Sequence, residues 1–295
     1  DQAKGLLDTE QGPYIVVAVQ ECTRMNVLLG ELKRSLVELV KGMDGQLSKT
    51  QAMEDLQQAL AKNEVPGRDL YSTCSWERHA WPSRKSLSSW LVDLAERVGL
   101  LRRWTATLSC LPNPLWLSGL FNPKAFLTAL KQVFSRKLGL PLDKITVETR
   151  VTCMETSEEV AAVGSSPPQG ALVHGLFVEG ARWQGFSEVR QNDTRKKAEE
   201  SVEDIIRSDG HLADSRSKGL MSWLPIIYIK AVPVAEAWTP ASVGYLRGEK
   251  DVYDCPVYLT SSRGSTFVFL ASLRTVDASR KWIVAGVAVV MQTDL

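Results

Sequence analysis

Apolar and polar positions alternate along this chain with two different periods, and the change from one to the other divides it. From Ile15 the apolar residues Val19, Cys22, Met25, Leu29, Leu32, Leu36 and Leu39 recur at steps of three and four, with Glu21, Arg24, Glu31, Lys33, Arg34 and Glu38 between them. That spacing keeps one face of a helix apolar and predicts a long amphipathic helix stopping near Gly42 and Gly45. A second helix is expected to begin at Ser48, which has capping-box spacing to Gln51, and to run through Met53, Leu56 and Leu60 before Pro66. The stretch 67–82 reads as loop, although it holds Tyr71, Trp76 and Trp81. A third helix follows through Leu87, Trp90, Leu91, Leu94, Val98 and Leu101 to about Trp104. The fourth carries its own punctuation: Asn122 as N-cap, Pro123 at the first helical position, then Gly139 and Pro141 at the close. Phe126, Leu130, Val133 and Phe134 form its apolar face.

After Pro141 the period drops to two. Ile145, Val147, Thr149 and Val151 alternate with Thr146, Glu148, Arg150 and Thr152, the pattern of a half-buried strand. Further strands are expected over 171–178, 225–231, 253–260, 266–273 and 282–291, and the turn Ser261-Ser262-Arg263-Gly264-Ser265 should close a hairpin. Helices first and strands after imply an α+β fold whose second half is a small barrel or sandwich. Residues 184–222 fit neither half. They carry Arg190, Asp193, Arg195, Lys196, Lys197, Glu199, Glu200, Glu203, Asp204, Arg207, Asp209, Asp214, Arg216 and Lys218, and read as a solvated insertion with a short helix near 198–206. The glycosylation sequon Asn192-Asp193-Thr194 within it is read as incidental.

Composition narrows the function classes. With 35 Lys+Arg against 34 Asp+Glu, the net charge of +1 leaves no electrostatic footprint for nucleic acid or an anionic membrane. An apolar fraction of 44% and a charged fraction of 23% describe a packed protein rather than a disordered one. The 9 Trp outnumber the 6 Tyr and the 7 Phe, and their large area and single N–H donor suit core or interface anchors. Cys22, Cys74, Cys110, Cys153 and Cys255 are scattered without a C-x-x-C pair, which suggests neither a disulfide framework nor a zinc site and points to a reducing compartment. The sequence opens at Asp1 without a signal peptide, and its longest apolar run, Trp282 to Met291, is about half the roughly 20 residues of a spanning helix. A soluble piece of something longer is expected.

Motifs for chemistry are missing. There is no G-x-x-x-x-G-K-[ST], no H-E-x-x-H and no EF-hand series, and Asp44-Gly45 reads as a turn. Nucleophilic catalysis needs a base beside the nucleophile. Of the three histidines, His79 and His211 read as surface groups and His174, just before Gly175, as a structural histidine. Glu179 and Arg182, either side of Gly180, read as a local ion pair.

Several long stretches nevertheless carry a resemblance. Leu115-Trp116-Leu117-Ser118-Gly119-Leu120-Phe121-Asn122-Pro123-Lys124-Ala125-Phe126-Leu127 and His174-Gly175-Leu176-Phe177-Val178-Glu179-Gly180-Ala181-Arg182-Trp183 resemble the signature stretches of the C-terminal region of dynein heavy chains. So do the block from Gln20 to Leu29, Cys255-Pro256-Val257-Tyr258, and the ending Lys281-Trp282-Ile283-Val284-Ala285-Gly286-Val287-Ala288. The wording is closest to axonemal heavy chains of outer-arm type. The resemblance implies a helical part over 1–142 and a six-stranded incomplete antiparallel β-barrel over 143–295. It implies Trp116, Gly119, Phe121, Asn122, Pro123, Gly175, Glu179, Gly180, Arg182, Trp183, Pro256, Trp282 and Gly286 as signature positions with structural roles. Trp116 and Trp183 are expected to be buried at the helix–barrel junction. It also implies a non-catalytic domain, without cofactor of its own, that lies on the AAA+ ring of its heavy chain and tunes processivity and force. ATP and Mg²⁺ would act elsewhere in the parent, microtubules would be bound through other regions, and the setting would be the cytoskeleton of a cilium or flagellum, in the axoneme. Two departures stand out, the long insertion after Trp183 and the loop from Tyr71 to Trp81. The insertion reads either as solvated or as a contact for an accessory chain or an adjacent dynein head.

Overall fold

The computed structural model describes residues 9–67, 76–163, 170–185, 210–213, 221–234 and 252–292. Helix α1 (Gly12–Met43) buries Ile15, Met25, Leu32 and Leu39 of the expected stripe, and the buried face extends to one side of it. Tyr14, Ala18, Glu21, Met25, Leu28, Leu32, Ser35 and Leu39 point inward, whereas Val19 and Leu36 are exposed. An apolar helix of this length offers two adjacent stripes, and the one that is buried carries side chains with specific partners. Tyr14 stacks on Phe126 at 5.7 Å, and Ser35 Oγ accepts the Trp76 indole N–H at 2.8 Å.

Helix α2 (Gln51–Ala61) starts at Thr50 rather than Ser48. The Thr50 hydroxyl accepts the Met53 N–H, and the Gln51 amide instead donates to Asp55 at 2.8 Å, so the expected capping box does not form. A short helix α3 (Trp76–His79) stands in the stretch read as loop. Its Trp76 is buried, as is Trp81, and both stack on Trp90 of α4 (Leu87–Ala106), at 6.2 and 5.2 Å. Tyr71 lies outside the described residues. On α4 the buried series is Leu87, Trp90, Leu94, Arg97, Leu101 and Trp104, while Leu91 is exposed. Strand β1 (Leu115–Trp116) and a 3₁₀ turn (Leu117–Gly119) lead to α5 (Pro123–Leu138). As expected, the Asn122 side chain caps α5, accepting the Ala125 N–H at 3.2 Å, and Gly139 ends it at φ +65°.

The second half contains β2 (Ile145–Val151), α6 (Ser157–Val163), β3 (Gly170–His174), β4 (Phe177–Glu179), β5 (Arg182–Gln184), β6 (His211–Ala213) and β7 (Met221–Trp223). It continues with β8 (Ile227–Pro233), β9 (Val252–Thr260), β10 (Phe269–Arg274), α7 (Ser279–Ala285) and β11 (Ala288–Gln292). The described strands form a four-stranded sheet ordered β1-β3-β8-β2, a five-stranded sheet ordered β10-β9-β11-β4-β7, and a β5-β6 pair. The α+β class holds and β9 and β10 form the expected hairpin. The all-antiparallel arrangement does not, because β1·β3 and β11·β9 pair in parallel.

Two strand expectations hold only in part, and the insertion departs from its expected solvation. The run 171–178 is two strands in different sheets, because Gly175 at φ +84° turns the backbone between them. The run 282–291 begins as helix. Gly286 at φ +68° ends α7 in a Schellman motif, with Val287 N–H on the Trp282 carbonyl and Gly286 N–H on that of Ile283. The insertion 184–222 is not wholly solvated, since β6 pairs with β5 and buries Leu212, and β7 pairs with β4. The rest of its charged residues and the helix expected at 198–206 lie outside the described residues. One apolar core runs from Tyr14 on α1 to Met291 on β11, so helices and sheets share a single interior.

Candidate functional site: the helix–sheet junction

Two stripe positions that should be apolar hold charges. Glu21 occupies the inward series of α1 and Arg97 that of α4, at 2% and 0% exposure. A buried charge persists only where hydrogen bonds and opposite charge replace water. Glu21 accepts the backbone N–H groups of Phe121 at 2.6 Å and Asn122 at 2.9 Å. It thereby ties α1 to the N-terminus of α5, where free donors and the helix dipole favour an anion. Burial pushes its pKa up, opposed by those two hydrogen bonds and by Arg24 and Arg97.

Arg97 is held by planes and acceptors together. Its guanidinium lies 4.0 Å from the Trp81 ring centre and 5.0 Å from that of Trp116. Nη2 donates to Gln292 Oε1 at 3.1 Å and meets Asp93 Oδ2 at 3.5 Å. Burial lowers its pKa to about 10 against the pull of Asp93, which leaves a cation at neutral pH. Gln292 in turn donates through Nε2 to the Ser118 carbonyl at 2.6 Å. One side chain on the last strand therefore joins α4 to the 3₁₀ turn.

The glycines allow this closeness. A Cβ on Gly119 would enter the Trp116 ring, and one on Gly175 would collide with Ser118 Oγ and Trp116. Trp116 pairs with His174 in the parallel β1·β3 register. Beside them runs a groove of about 1120 Å³, lined in part by Glu96, Arg103, Trp116, His174, Trp223 and Gln292. Burial, then the Arg103 charge, holds the His174 imidazole below its ordinary 6.5. The folded state therefore binds less proton than the unfolded state just below that value. Stability should be full above about pH 6.5 and fall as pH drops through the window beneath it. His174→Gln should flatten this slope in urea midpoints measured between about pH 5 and 7.5.

Most of the signature residues fall into two groups, with Arg182 and Trp183 in neither. Trp116, Gly119, Phe121, Asn122, Pro123 and Gly175 meet at the junction, although Trp116 is half-buried rather than buried. Glu179, Gly180, Gly286 and Trp282 gather around α7, with Pro256 in the adjoining β9. There Glu179 pairs with Arg263 at 2.7 Å, not with Arg182, which is exposed. Arg263 also donates to the Gly286 carbonyl at 2.6 Å. This reach across three segments outcompetes the local pair because Arg182 points outward from β5. Trp183 is buried, but within the sheets, close to Gly210 and with its backbone N–H on Ser222, rather than against the helices. His79 is exposed as expected and His211 is half-buried on β6. Among the described residues, no three His, Cys, Asp or Glu side chains converge as a metal site requires.

Sequence reading passes over Arg97, Asp93, Gln292, Arg263 and the role of Glu21. For Glu21 and Arg97 the signal is present, since each is a charge standing in phase with an apolar stripe. The class that this fold and junction define is an α+β domain whose helices are fastened to its sheets by buried polar contacts at the residues of the signature stretches. It belongs to the family of C-terminal domains of dynein heavy chains, which it matches over residues 2–291. It is 40% identical over 283 residues to a ciliary dynein beta chain of Heliocidaris crassispina, and 40% identical over 283 residues to dynein axonemal heavy chain 17 of Mus musculus. It is 40% identical over 280 residues to the flagellar outer arm dynein beta chain of Chlamydomonas reinhardtii. These alignments take in 96%, 96% and 95% of this protein but 5% of each relative.

Proposed function

We propose that this protein is the non-catalytic C-terminal domain of an axonemal dynein heavy chain, docking on the AAA+ ring of its own polypeptide and regulating microtubule-based motility. Its relatives are ciliary and flagellar dyneins, which supports a place in the axoneme. ATP hydrolysis and track binding then belong to other parts of the heavy chain. The observation that carries docking is the outer face of α1. Val16, Val19, Val27 and Val37 are exposed on the side opposite Glu21, Leu28, Leu32 and Leu39. The four valines are spread over roughly 32 Å of the helix on a face that the domain's own core does not use, interleaved with Thr23, Gly30 and the ion-paired Arg34. A domain that touches several ring modules biases their motion when it binds the ring's states with different free energies. Deleting it from the complete motor is expected to change run length, stall force or ATPase rate. Unchanged values for all three would remove the regulatory reading.

A further inference from the structure

We propose that Ser86 is a phosphorylation site for a protein kinase that reads arginine and lysine on the N-terminal side of its acceptor, and that the phosphate draws Arg84 away from the β9–β10 turn. A kinase takes its acceptor hydroxyl from exposed backbone that is not folded into helix or sheet. Residues 81–86 belong to no helix or strand, and Ser86, the last of them, is exposed with φ −59° and ψ 160°. Arg84 and Lys85 stand directly before it. Ser86 also occupies the cap position of α4 without capping it through its side chain. Asn63, just past α2, supplies that function: its carbonyl accepts the Leu87 N–H at 2.8 Å and its Oδ1 accepts the Ser88 N–H at 2.9 Å. The Ser86 hydroxyl meets the exposed hydroxyls of Ser88 and Ser89 at 3.2 and 3.3 Å, so it can be esterified without uncapping the helix. Its neighbours are less available to a kinase. Ser88 and Ser89 lie inside α4, Ser88 Oγ accepts from Asn63 Nδ2 at 3.2 Å, and Ser83 Oγ accepts the Lys85 N–H at 3.2 Å.

In the transfer the bond from Ser86 Oγ to phosphorus forms as the bond from the γ-phosphorus of ATP to its bridging oxygen breaks. ADP leaves, and the hydroxyl proton passes to the catalytic aspartate of the kinase. The serine gains a charge of about −1.5 to −2 at neutral pH and three acceptor oxygens. In the unmodified protein Arg84 Nη2 donates to Ser262 Oγ at 2.9 Å, which fastens the segment before α4 to the β9–β10 turn. The next residue of that turn, Arg263, holds Glu179 and the Gly286 carbonyl. A hydrogen bond to an ionised acceptor is about twice as strong as one to a neutral hydroxyl, and side chains two apart in extended backbone share a side. Phosphate on Ser86 therefore offers Arg84 the better acceptor, and the turn loses a tie to the helices.

The test treats the full heavy chain with Mg-ATP and a purified kinase of this basic preference, and locates phosphate by mass spectrometry. Among residues 1–295, Ser86 is expected to carry most of it. Ser86→Ala should cut incorporation severalfold, as should Arg84→Gln with Lys85→Gln, whereas Ser88→Ala should not. Heavy chain isolated from its source cells with phosphatase inhibitors should carry phosphate at the same position. Amide hydrogen exchange reads the consequence. Residues 261–265 should exchange severalfold faster in the phosphorylated chain, and Ser262→Ala should reach that rate unphosphorylated, with phosphate adding nothing to it. Labelling of a peptide of residues 80–92 but not of the folded chain, incorporation indifferent to Ser86→Ala, or an isolated heavy chain without phosphate at Ser86 would each overturn the site. Unchanged exchange over 261–265 would overturn the link through Arg84.

Discussion

Arg97→Ala should lower the unfolding free energy by about 3–5 kcal/mol, the range for deleting one partner of a buried ion pair. Three losses coincide at this position. Asp93, itself 4% exposed, is left without its cation, Gln292 Oε1 loses its donor, and the space between the Trp81 and Trp116 rings is left unfilled. Arg97→Met separates these effects, because it restores most of the volume without the charge. Pairing it with Asp93→Asn removes both charges, and that combination should recover much of the loss, since well-packed neutral replacements of buried pairs are often tolerated. Urea melts at neutral pH read the result as a midpoint shift at constant slope. A loss below about 1 kcal/mol for Arg97→Ala would mean that the junction does not depend on this charge.

Gly175→Ala should destabilise by about 2–5 kcal/mol, combining the left-handed backbone penalty with overpacking. Gly175 sits where the backbone leaves the four-stranded sheet for the five-stranded one, at φ +84°. A methyl group there would overlap Ser118 Oγ and the Trp116 indole. Gly139→Ala is the control. Its φ is +65° but its Cβ would meet nothing within 4 Å, so only the backbone penalty of about 1–2 kcal/mol applies. The difference between the two melts isolates the clash at the junction. Equal losses would place the whole effect in the backbone.

What can be read from sequence follows how local the controlling interaction is. Helix α5 is legible end to end because Asn122, Pro123 and Gly139 act within one turn of where they stand. Strand β2 is legible because its apolar and polar residues alternate in sequence, and Ile145, Thr149 and Val151 of the expected inward series are buried. The run from Trp282 misleads because apolar composition does not say which side chains face inward. Ile283 and Val284 are apolar yet face water, and the decisive signal is the left-handed Gly286. Glu21 and Arg97 hide among the polar residues, since a period calculation treats a charge as outward by default. Their partners, Phe121 and Gln292, lie 100 and 195 positions away, beyond the reach of any local pattern. The ion pair at Glu179 escapes for the same reason, as Arg182 is near in sequence and Arg263 near in space.

The placement of Gln292 also sets an order in time. Arg97 leaves the ribosome 195 residues before the amide that receives its hydrogen bond, which at ordinary elongation rates is roughly 10–40 s. For that interval α4 carries a cation that has Asp93 but not Gln292, and β9 lacks its parallel partner until β11 follows. The helices are thus translated first but completed last. The interior that Arg97 and Gln292 share is therefore complete only once β11 has been translated.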